Sequence, residues 1–276
     1  MDENQKKTGY ISSEKARIYY EQNGTGISLI MIHAGVADSR QWNNEFQRFS
    51  QDFQAVRYDI RGYGKSNPVD GVFTHLGDLT TLIEALEINP PYILMGCSMG
   101  GGLAMDYALA NPEKVAALIM VGSGPSGLVL DVEEPEIFSD AAKAFEDGDL
   151  DLLAEIETQI WFVGMDRTRD QVDPKMHQLA FDMNRTAIGH EVKQLGQRQA
   201  DTDKPAYERL EEINSPLLII VGSQDIPYMH AAANYMMEIV DSAQKIIIQN
   251  AAHLPNMDQP EQFFRIVSRF LADLSI

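Results

Sequence analysis

Short apolar runs that alternate with helical patterns constrain the fold of this chain more than any other feature. Seven runs have the length and composition of β-strands, at 16–22, 28–32, 54–58, 92–95, 117–121, 217–221 and 245–248. Several are almost wholly apolar, as strands buried on both faces must be. Helical patterns lie between them at 42–49, 77–86, 99–110, 230–240 and 260–274. The alternation predicts an α/β fold with a mostly parallel central sheet and helices on both faces.

The alternation stops between residues 121 and 217, an interval far too long for one crossover connection. Helical patterns occur inside it at 141–145, 150–162 and 176–195, and the segment is punctuated by Gly148, Gly164 and Gly189. We therefore expect a core formed by residues 1–125 and 206–276. We expect residues 126–205, called the insertion below, to form helices packed over one edge of the sheet.

The charge balance of the chain disfavours two classes of partner. The 276 residues carry a formal net charge of −19, which repels nucleic acids and anionic membrane surfaces. We expect a small-molecule substrate instead. Residues 1–7 are polar and lead into no apolar run of signal-peptide length, so a cytoplasmic location is expected. Cys97 is the only cysteine, which excludes an intrachain disulfide and a cysteine-based metal site.

The segment Gly96-Cys97-Ser98-Met99-Gly100 has the pattern Gly-x-Ser-x-Gly, which is weak as an isolated signal. Here it follows an apolar strand and precedes a helix rich in small residues, which is the setting of a strained strand-to-helix turn. Such a turn exposes a serine hydroxyl above the sheet at a helix N-terminus. We predict that Ser98 is a nucleophile; the alternative is a serine that only caps the helix.

A serine nucleophile needs a base, and histidine has a suitable pKa near neutrality. Among six histidines, His253 is favoured because it follows the strand at 245–248, at the sheet edge where open α/β folds place their sites. Asp225 follows the strand at 217–221 and is the favoured carboxylate for orienting that histidine. Asp241 and Asp258 are rival carboxylates by distance in sequence.

Acyl transfer also needs hydrogen-bond donors for an oxyanion, preferably backbone N–H groups. The Met99 N–H, directly after the nucleophile, is one candidate. The second is expected in the loop His33-Ala34-Gly35-Val36-Ala37, where we favour the Val36 N–H. His33 is then expected to orient this loop rather than to act as a base.

Ser98, Asp225 and His253 occur in the chain order of nucleophile, acid and base that is typical of the α/β-hydrolase superfamily, which this sequence resembles. The resemblance spans nearly the whole chain and includes the turn Asp59-Ile60-Arg61-Gly62-Tyr63-Gly64-Lys65-Ser66 and the tail from His253 to Pro260. It implies a single-domain serine hydrolase whose insertion forms a cap over an acyl pocket, with no metal and no organic cofactor. Where many members have His-Gly, this chain has His33-Ala34-Gly35, which leaves the second oxyanion donor open by one residue.

The resemblance also assigns roles to residues outside the triad. It makes Arg61 architectural, and it makes four insertion residues candidates for the pocket wall, with core packing as their alternative role: Trp161, Phe162, Met165 and Met183. Relatives that form an alkyl ester on aspartate, and relatives with a nucleophilic cysteine, are excluded because Ser98 holds the nucleophile position. The Cys97 side chain is expected to point away from the site.

Several reactions share this apparatus. We rank hydrolysis of a carboxylic ester or lactone first, with carbon–carbon bond hydrolysis and cofactor-free perhydrolysis as alternatives. A small-molecule receptor on the same scaffold is the non-enzymatic alternative, and it would show no Ser98-dependent turnover.

Overall fold

The computed structural model of the protein describes residues 6–274. An eight-stranded sheet with the order β1-β2-β4-β3-β6-β7-β9-β10 lies at its centre, and β5 pairs with β8 in a separate two-stranded sheet. The strands are β1 (Lys7–Ser13), β2 (Ala16–Asn23), β3 (Ser28–Ile32), β4 (Gln54–Tyr58), β5 (Val72–Phe73), β6 (Tyr92–Cys97), β7 (Val115–Val121), β8 (Gln197–Arg198), β9 (Leu217–Gly222) and β10 (Ala243–Ile248). In this sheet, the six neighbouring strands β4, β3, β6, β7, β9 and β10 run parallel to one another. β2 pairs antiparallel with β4, and β1 pairs antiparallel with β2. The predicted fold class is confirmed.

Helices of the core cover both faces of this sheet, and the insertion contributes others. In chain order the α-helices are α1 (Asn43–Phe49), α2 (His75–Ala85), α3 (Met99–Ala110), α4 (Ile137–Glu146), α5 (Leu150–Thr158), α6 (Pro174–Glu191), α7 (Pro227–Ile239), α8 (Pro255–Asp258) and α9 (Pro260–Asp273). Alternate residues of each strand point to opposite faces, so β3 sends Ile30 and Ile32 into one apolar cluster and Leu29 and Met31 into the other. The first cluster contains side chains of α2, α3 and α7, and the second contains side chains of α1 and α9.

The C-terminal helix α9 illustrates how the sequence pattern produces this packing. Phe263, Val267, Phe270 and Leu271 recur at three- and four-residue steps and are all buried against the sheet. Burial of each such side chain stabilises the fold by roughly 1.5–3 kcal/mol. The helix predicted at 260–274 is therefore confirmed to within one residue.

The insertion contains α4, α5 and α6, which share a small apolar cluster of their own around Leu153 and Ile188. A five-residue π-helix, Gln159–Val163, continues α5, so the predicted helix at 150–162 is two elements. Gly189 lies inside α6, which tolerates it because one glycine costs a helix only about 1 kcal/mol relative to alanine. The predicted helix at 176–195 ends at Glu191. The boundaries 126–205 stay a prediction.

Three strands were not predicted. β1 has the polar sequence KTGYISS and only two buried residues, so it has no apolar run to reveal it. β5 and β8 have two residues each and form only because the insertion meets the core there. Within residues 6–274, no helix is long and apolar enough to cross a membrane.

Candidate active site

Ser98 occupies the turn between β6 and α3, with φ of 53° and ψ of −117°. A positive φ is strained for a side chain larger than glycine, and such strain collects at functional positions. The flanking glycines make the turn possible, because a Cβ at Gly96 would overlap the Gly100 carbonyl and one at Gly100 would overlap the Ile32 carbonyl. The Ser98 side chain forms no capping bond to α3. The alternative role as a helix cap is therefore not supported.

Asp225 and His253 form a buried hydrogen-bonded pair. The Nδ1 of His253 lies 3.0 Å from each carboxylate oxygen of Asp225, and Oδ1 also accepts the Ile226 N–H at 2.9 Å. Because a carboxylate only accepts hydrogen bonds, Nδ1 carries the proton and Nε2 is left as an acceptor. The loop after β9 is joined to the loop after β10 by the Gln224 N–H, which donates to the Ala251 carbonyl at 2.8 Å.

The residues beside Ser98 contact this pair. The Ser98 N–H donates to the Val121 carbonyl at 2.9 Å, and a Cβ on the next residue, Gly122, would lie 2.9 Å from His253 Nδ1. The Cys97 thiol lies 3.6 Å from the His253 carbonyl oxygen. Within the described chain, no hydrogen bond joins the Ser98 hydroxyl to His253 itself. The three residues thus meet at the carboxyl ends of β6, β9 and β10.

Cys97 and the rival carboxylates have other roles. Burial raises the pKa of the Cys97 thiol to about 12, so the thiol is unreactive near neutrality. Asp258 is paired with Arg167 at 2.6 Å, and both side chains are less than a tenth exposed. Asp241 lies between α7 and the start of β10, at the amino end of that strand, whereas the site lies at the carboxyl ends.

The loop after β3 is held by several side chains. His33 donates from Nδ1 to the Ala34 carbonyl at 2.7 Å and accepts the Ile60 N–H at Nε2, at 2.9 Å. Its pKa is lowered by burial, which keeps the ring neutral. His33 therefore orients the loop. A Cβ at Gly35 would lie 3.9 Å from Met99 Cβ, which brings this loop beside the start of α3.

Sequence reasoning missed a buried network behind this loop. The Gln41 side chain accepts the Ala34 N–H at 2.9 Å and donates to Asn256, at 3.3 Å. Asn256 in turn donates to Glu45 at 3.1 Å. Burial raises the pKa of Glu45 to about 7. The network connects the loop after β3 to the segment after His253.

The two predicted oxyanion donors are free to bind a ligand. In the described part of the chain, the N–H groups of Val36 and Met99 have no hydrogen-bond acceptor.

The four predicted wall residues differ in position. The Trp161 ring lies 4.6 Å from the His253 ring between centroids, and Trp161 and Phe162 line a small cavity together with Val36 and Leu254. Met183 is fully buried in the apolar cluster below. Met165 is 38% exposed at the surface.

A larger cavity of about 440 Å³ opens between the loop after β3 and helix α6. Its wall includes Val36, Arg61 and Tyr63 from the core and Glu157 and His190 from the insertion. The Arg61 side chain is buried and bound to Asp78 at 2.8 Å, in line with an architectural role. Within residues 6–274, no cluster of three or more His, Cys, Asp or Glu side chains is placed to hold a metal ion.

Comparisons with known proteins agree with the fold described above. A family model described as the alpha/beta hydrolase fold matches residues 27–260. A pimeloyl-(acyl-carrier protein) methyl ester esterase of Nitrosomonas europaea is 27% identical over 90% of this chain and 97% of its own length. A 2-hydroxy-6-oxononadienedioate/2-hydroxy-6-oxononatrienedioate hydrolase of Paraburkholderia xenovorans is 28% identical over 94% of this chain and 91% of its own. The enol-lactonase of Burkholderia xenovorans superposes with a TM-score of 0.77 at 19% identity, covering 96% of this chain and all of that one, a likeness of fold.

Proposed function

The chain belongs to the α/β-hydrolase family, and we propose that it is a serine hydrolase that cleaves a small carboxylic ester or lactone through an acyl-enzyme on Ser98. The observation that carries the proposal is the strained Ser98 backbone, with φ of 53° at the end of β6. This conformation aims a hydroxyl away from the sheet at a helix N-terminus. The buried Asp225–His253 pair at the same edge of the sheet supports it.

In the first half of the proposed cycle, His253 Nε2 removes the proton of the Ser98 hydroxyl as its oxygen attacks the substrate carbonyl carbon. Asp225 holds the ring in the correct tautomer and stabilises the imidazolium that forms. The N–H groups of Met99 and Val36 bind the oxyanion of the tetrahedral intermediate. His253 then gives its proton to the leaving alkoxide, the carbon–oxygen bond breaks, and the acyl group stays on Ser98.

In the second half, water attacks the acyl carbon while His253 takes a proton from it. The tetrahedral intermediate returns to the same two N–H groups. Its collapse breaks the bond to Ser98, which recovers its proton from His253, and releases the carboxylic acid. In a lactone, the alcohol and the acid are parts of one product molecule. The cycle needs no cofactor.

A fluorophosphonate label combined with short-chain p-nitrophenyl esters tests this proposal. We expect the label on Ser98, found by peptide mass spectrometry, and we expect Ser98→Ala to lower ester turnover by about 10⁴-fold or more. Ser139→Ala, at an exposed serine of α4, is the matched control and is expected to keep full activity. Full activity in Ser98→Ala would refute the assignment and favour another nucleophile, whereas no turnover by the wild-type protein would favour a binding protein.

Carbon–carbon bond hydrolysis is the second candidate, because the P. xenovorans relative named above is matched over 94% of this chain. The same triad supports both reactions, so substrates separate them. A panel of acyl esters, lactones and a vinylogous diketone is assayed at equal enzyme concentration. Turnover of the diketone with none of the esters or lactones would replace the first candidate with the second.

A further inference from the structure

The larger cavity is lined by charged side chains, and only the basic ones are in ion pairs. On its core side, Arg61 is neutralised by Asp78, which lies 2.8 Å from the guanidinium Nε. Next to it, Arg198 is neutralised by Asp201, also at 2.8 Å. Both basic side chains of the wall therefore have a counter-charge of their own.

The acidic side chains of the same wall have none. Glu157, half-buried on α5, accepts one hydrogen bond at Oε2, from Asn184 at 2.8 Å. Glu191 lies at the rim on α6. In the part of the chain that the structure describes, neither is in an ion pair. Burial, and then the charge of Glu191, raise the pKa of Glu157, as expected for a carboxyl that lacks a cation. The uncompensated charge in this cavity is negative.

The two histidines of the wall do not cancel this charge, because both are neutral. Burial lowers the pKa of His190, and that of His75 to about 3. His190 donates from Nδ1 to the Gly62 carbonyl at 3.0 Å, so its Nε2 is an acceptor. His75 is 4% exposed, and its Nδ1 has no partner within residues 6–274. His75 is a residue of the cavity wall, but this nitrogen is itself buried, so the ring adds neither charge nor an accessible acceptor to the cavity.

We infer that this cavity binds a protonated amine of the substrate and that Glu157 is the carboxylate that pairs with it. The inference rests on the proposed function, since it describes the substrate of the same site. Glu157 lines both the large cavity and the small one beside Trp161 and Val36, so the ammonium binds within reach of the reacting carbonyl. His190 Nε2 accepts a second N–H of the ammonium group. The net charge of −19 favours the approach of a cationic substrate.

Three p-nitrophenyl esters of equal chain length test the inference: 6-aminohexanoate, heptanoate and hydrogen adipate. Three acetate esters, of 5-aminopentanol, hexanol and 6-hydroxyhexanoic acid, place the same groups on the alcohol side. Whichever series reaches the cavity is expected to show kcat/KM about 10- to 100-fold higher for the amine than for the alkyl ester. The carboxylate ester is expected to be the poorest. All rates are corrected with Ser98→Ala.

Glu157→Gln keeps the shape of the side chain and removes its charge. We expect it to abolish the preference for the amine, measured as the ratio of kcat/KM for the amine to kcat/KM for the alkyl ester with the same protein sample. The melting temperature is not expected to fall, because a half-buried charge without a cation is removed. Glu155→Gln is the matched control, since Glu155 is exposed on the same helix. It is expected to keep the preference.

The outcomes separate two failures. If Ser98-dependent hydrolysis is found but the amine and alkyl esters react equally in both series, the inference is overturned and the proposed function stands. The same holds if Glu157→Gln and Glu155→Gln keep equal preferences. If no ester in either series and no lactone of the panel above shows Ser98-dependent hydrolysis, the proposed function itself is overturned.

Discussion

The candidate active site has two walls of different construction. The core wall consists of the segments after β3, β6, β9 and β10, and its histidines and aspartate are held by hydrogen bonds to side chains and backbone groups. Both ring nitrogens of His33 have partners, and Asp225 accepts from both His253 and Ile226. The insertion wall consists of α5, the π-helix and α6. There Glu157 has a single partner and no counter-charge among the described residues.

The difference indicates a division of labour. Satisfied hydrogen bonds fix side-chain positions, and fixed positions are what a reaction with two proton transfers requires. Unsatisfied groups destabilise a folded chain until a ligand supplies their partners, so they mark where binding free energy is gained. Under the proposed function, the core wall would carry out the chemistry that many substrates share. The insertion wall would select among those substrates.

The largest expected effect is on the core wall, at Asp225. Asp225→Asn keeps the shape of the side chain but allows the wrong tautomer of His253, so we expect kcat to fall by about 10⁴-fold. Steady-state kinetics on a p-nitrophenyl ester measures this, with circular dichroism to confirm the fold. Asp241→Asn, at the amino end of β10, is the control and is expected to retain activity. The reverse result would transfer the acid role to Asp241.

The next largest effect is expected at Arg167, which bonds to both the insertion wall and the core wall. Arg167 donates to the Val163 carbonyl and to the Asn250 carbonyl, each at 2.6 Å, and pairs with buried Asp258. Arg167→Met leaves that carboxylate buried without a partner, so we expect the free energy of unfolding to fall by about 3–5 kcal/mol. Urea denaturation measures it. Arg169→Met, at an exposed position in the same segment, is expected to change little. Equal losses in the two variants would show that the Arg167 bonds do not join the walls.

The smallest expected effect is a pH dependence of the core wall. Burial raises the pKa of Glu45 from 4.5 to about 7. Between these values the folded chain holds a proton that the unfolded chain releases, so the free energy of unfolding falls as pH rises, by up to about 3 kcal/mol. Below both values the contribution is constant.

Glu45→Gln removes this titration. We expect the difference in unfolding free energy between wild type and variant to change steadily from pH 4.5 to pH 7 in favour of the variant. Denaturant melts at several pH values measure that difference, and other groups cancel in it. Parallel curves for the two proteins would contradict a raised Glu45 pKa.

The core wall was largely predictable from the sequence, because its residues follow apolar strands. Parallel strands all end at one edge of the sheet, so a serine, an aspartate and a histidine that follow three such strands must lie near one another. The preference for Asp225 over Asp258 followed from the sequence, because Asp225 comes shortly after β9 whereas Asp258 lies beyond the histidine loop, in α8. The ion pair of Asp258 with Arg167 was not predictable, because the position of Arg167 is set by the packing of the insertion.

The insertion wall was not predictable, because the sequence does not determine how the insertion helices pack. Trp161 and Met165 lie in one short apolar segment, yet one contacts His253 and the other is exposed. Helical periodicity gives the apolar face of each helix but not the angle at which helices cross. Glu157 reads in sequence as one more acidic residue of a charged helix. What distinguishes Glu157 from other acidic residues is that it has no cationic partner among the described residues, while Arg61 and Arg198 in the same cavity wall are each paired with an aspartate.

The π-helix at Gln159–Val163, closed by the Gly164 N–H on the Gln159 carbonyl at 2.7 Å, sets the angular position of Trp161. Its turn holds one residue more than an α-helical turn, and one residue corresponds to a rotation of about 100°. A single-residue deletion there would restore a regular helix and swing the indole away from His253 without altering any strand. Length changes at this turn are thus a means of evolving or engineering new selectivity while the reaction centre is preserved.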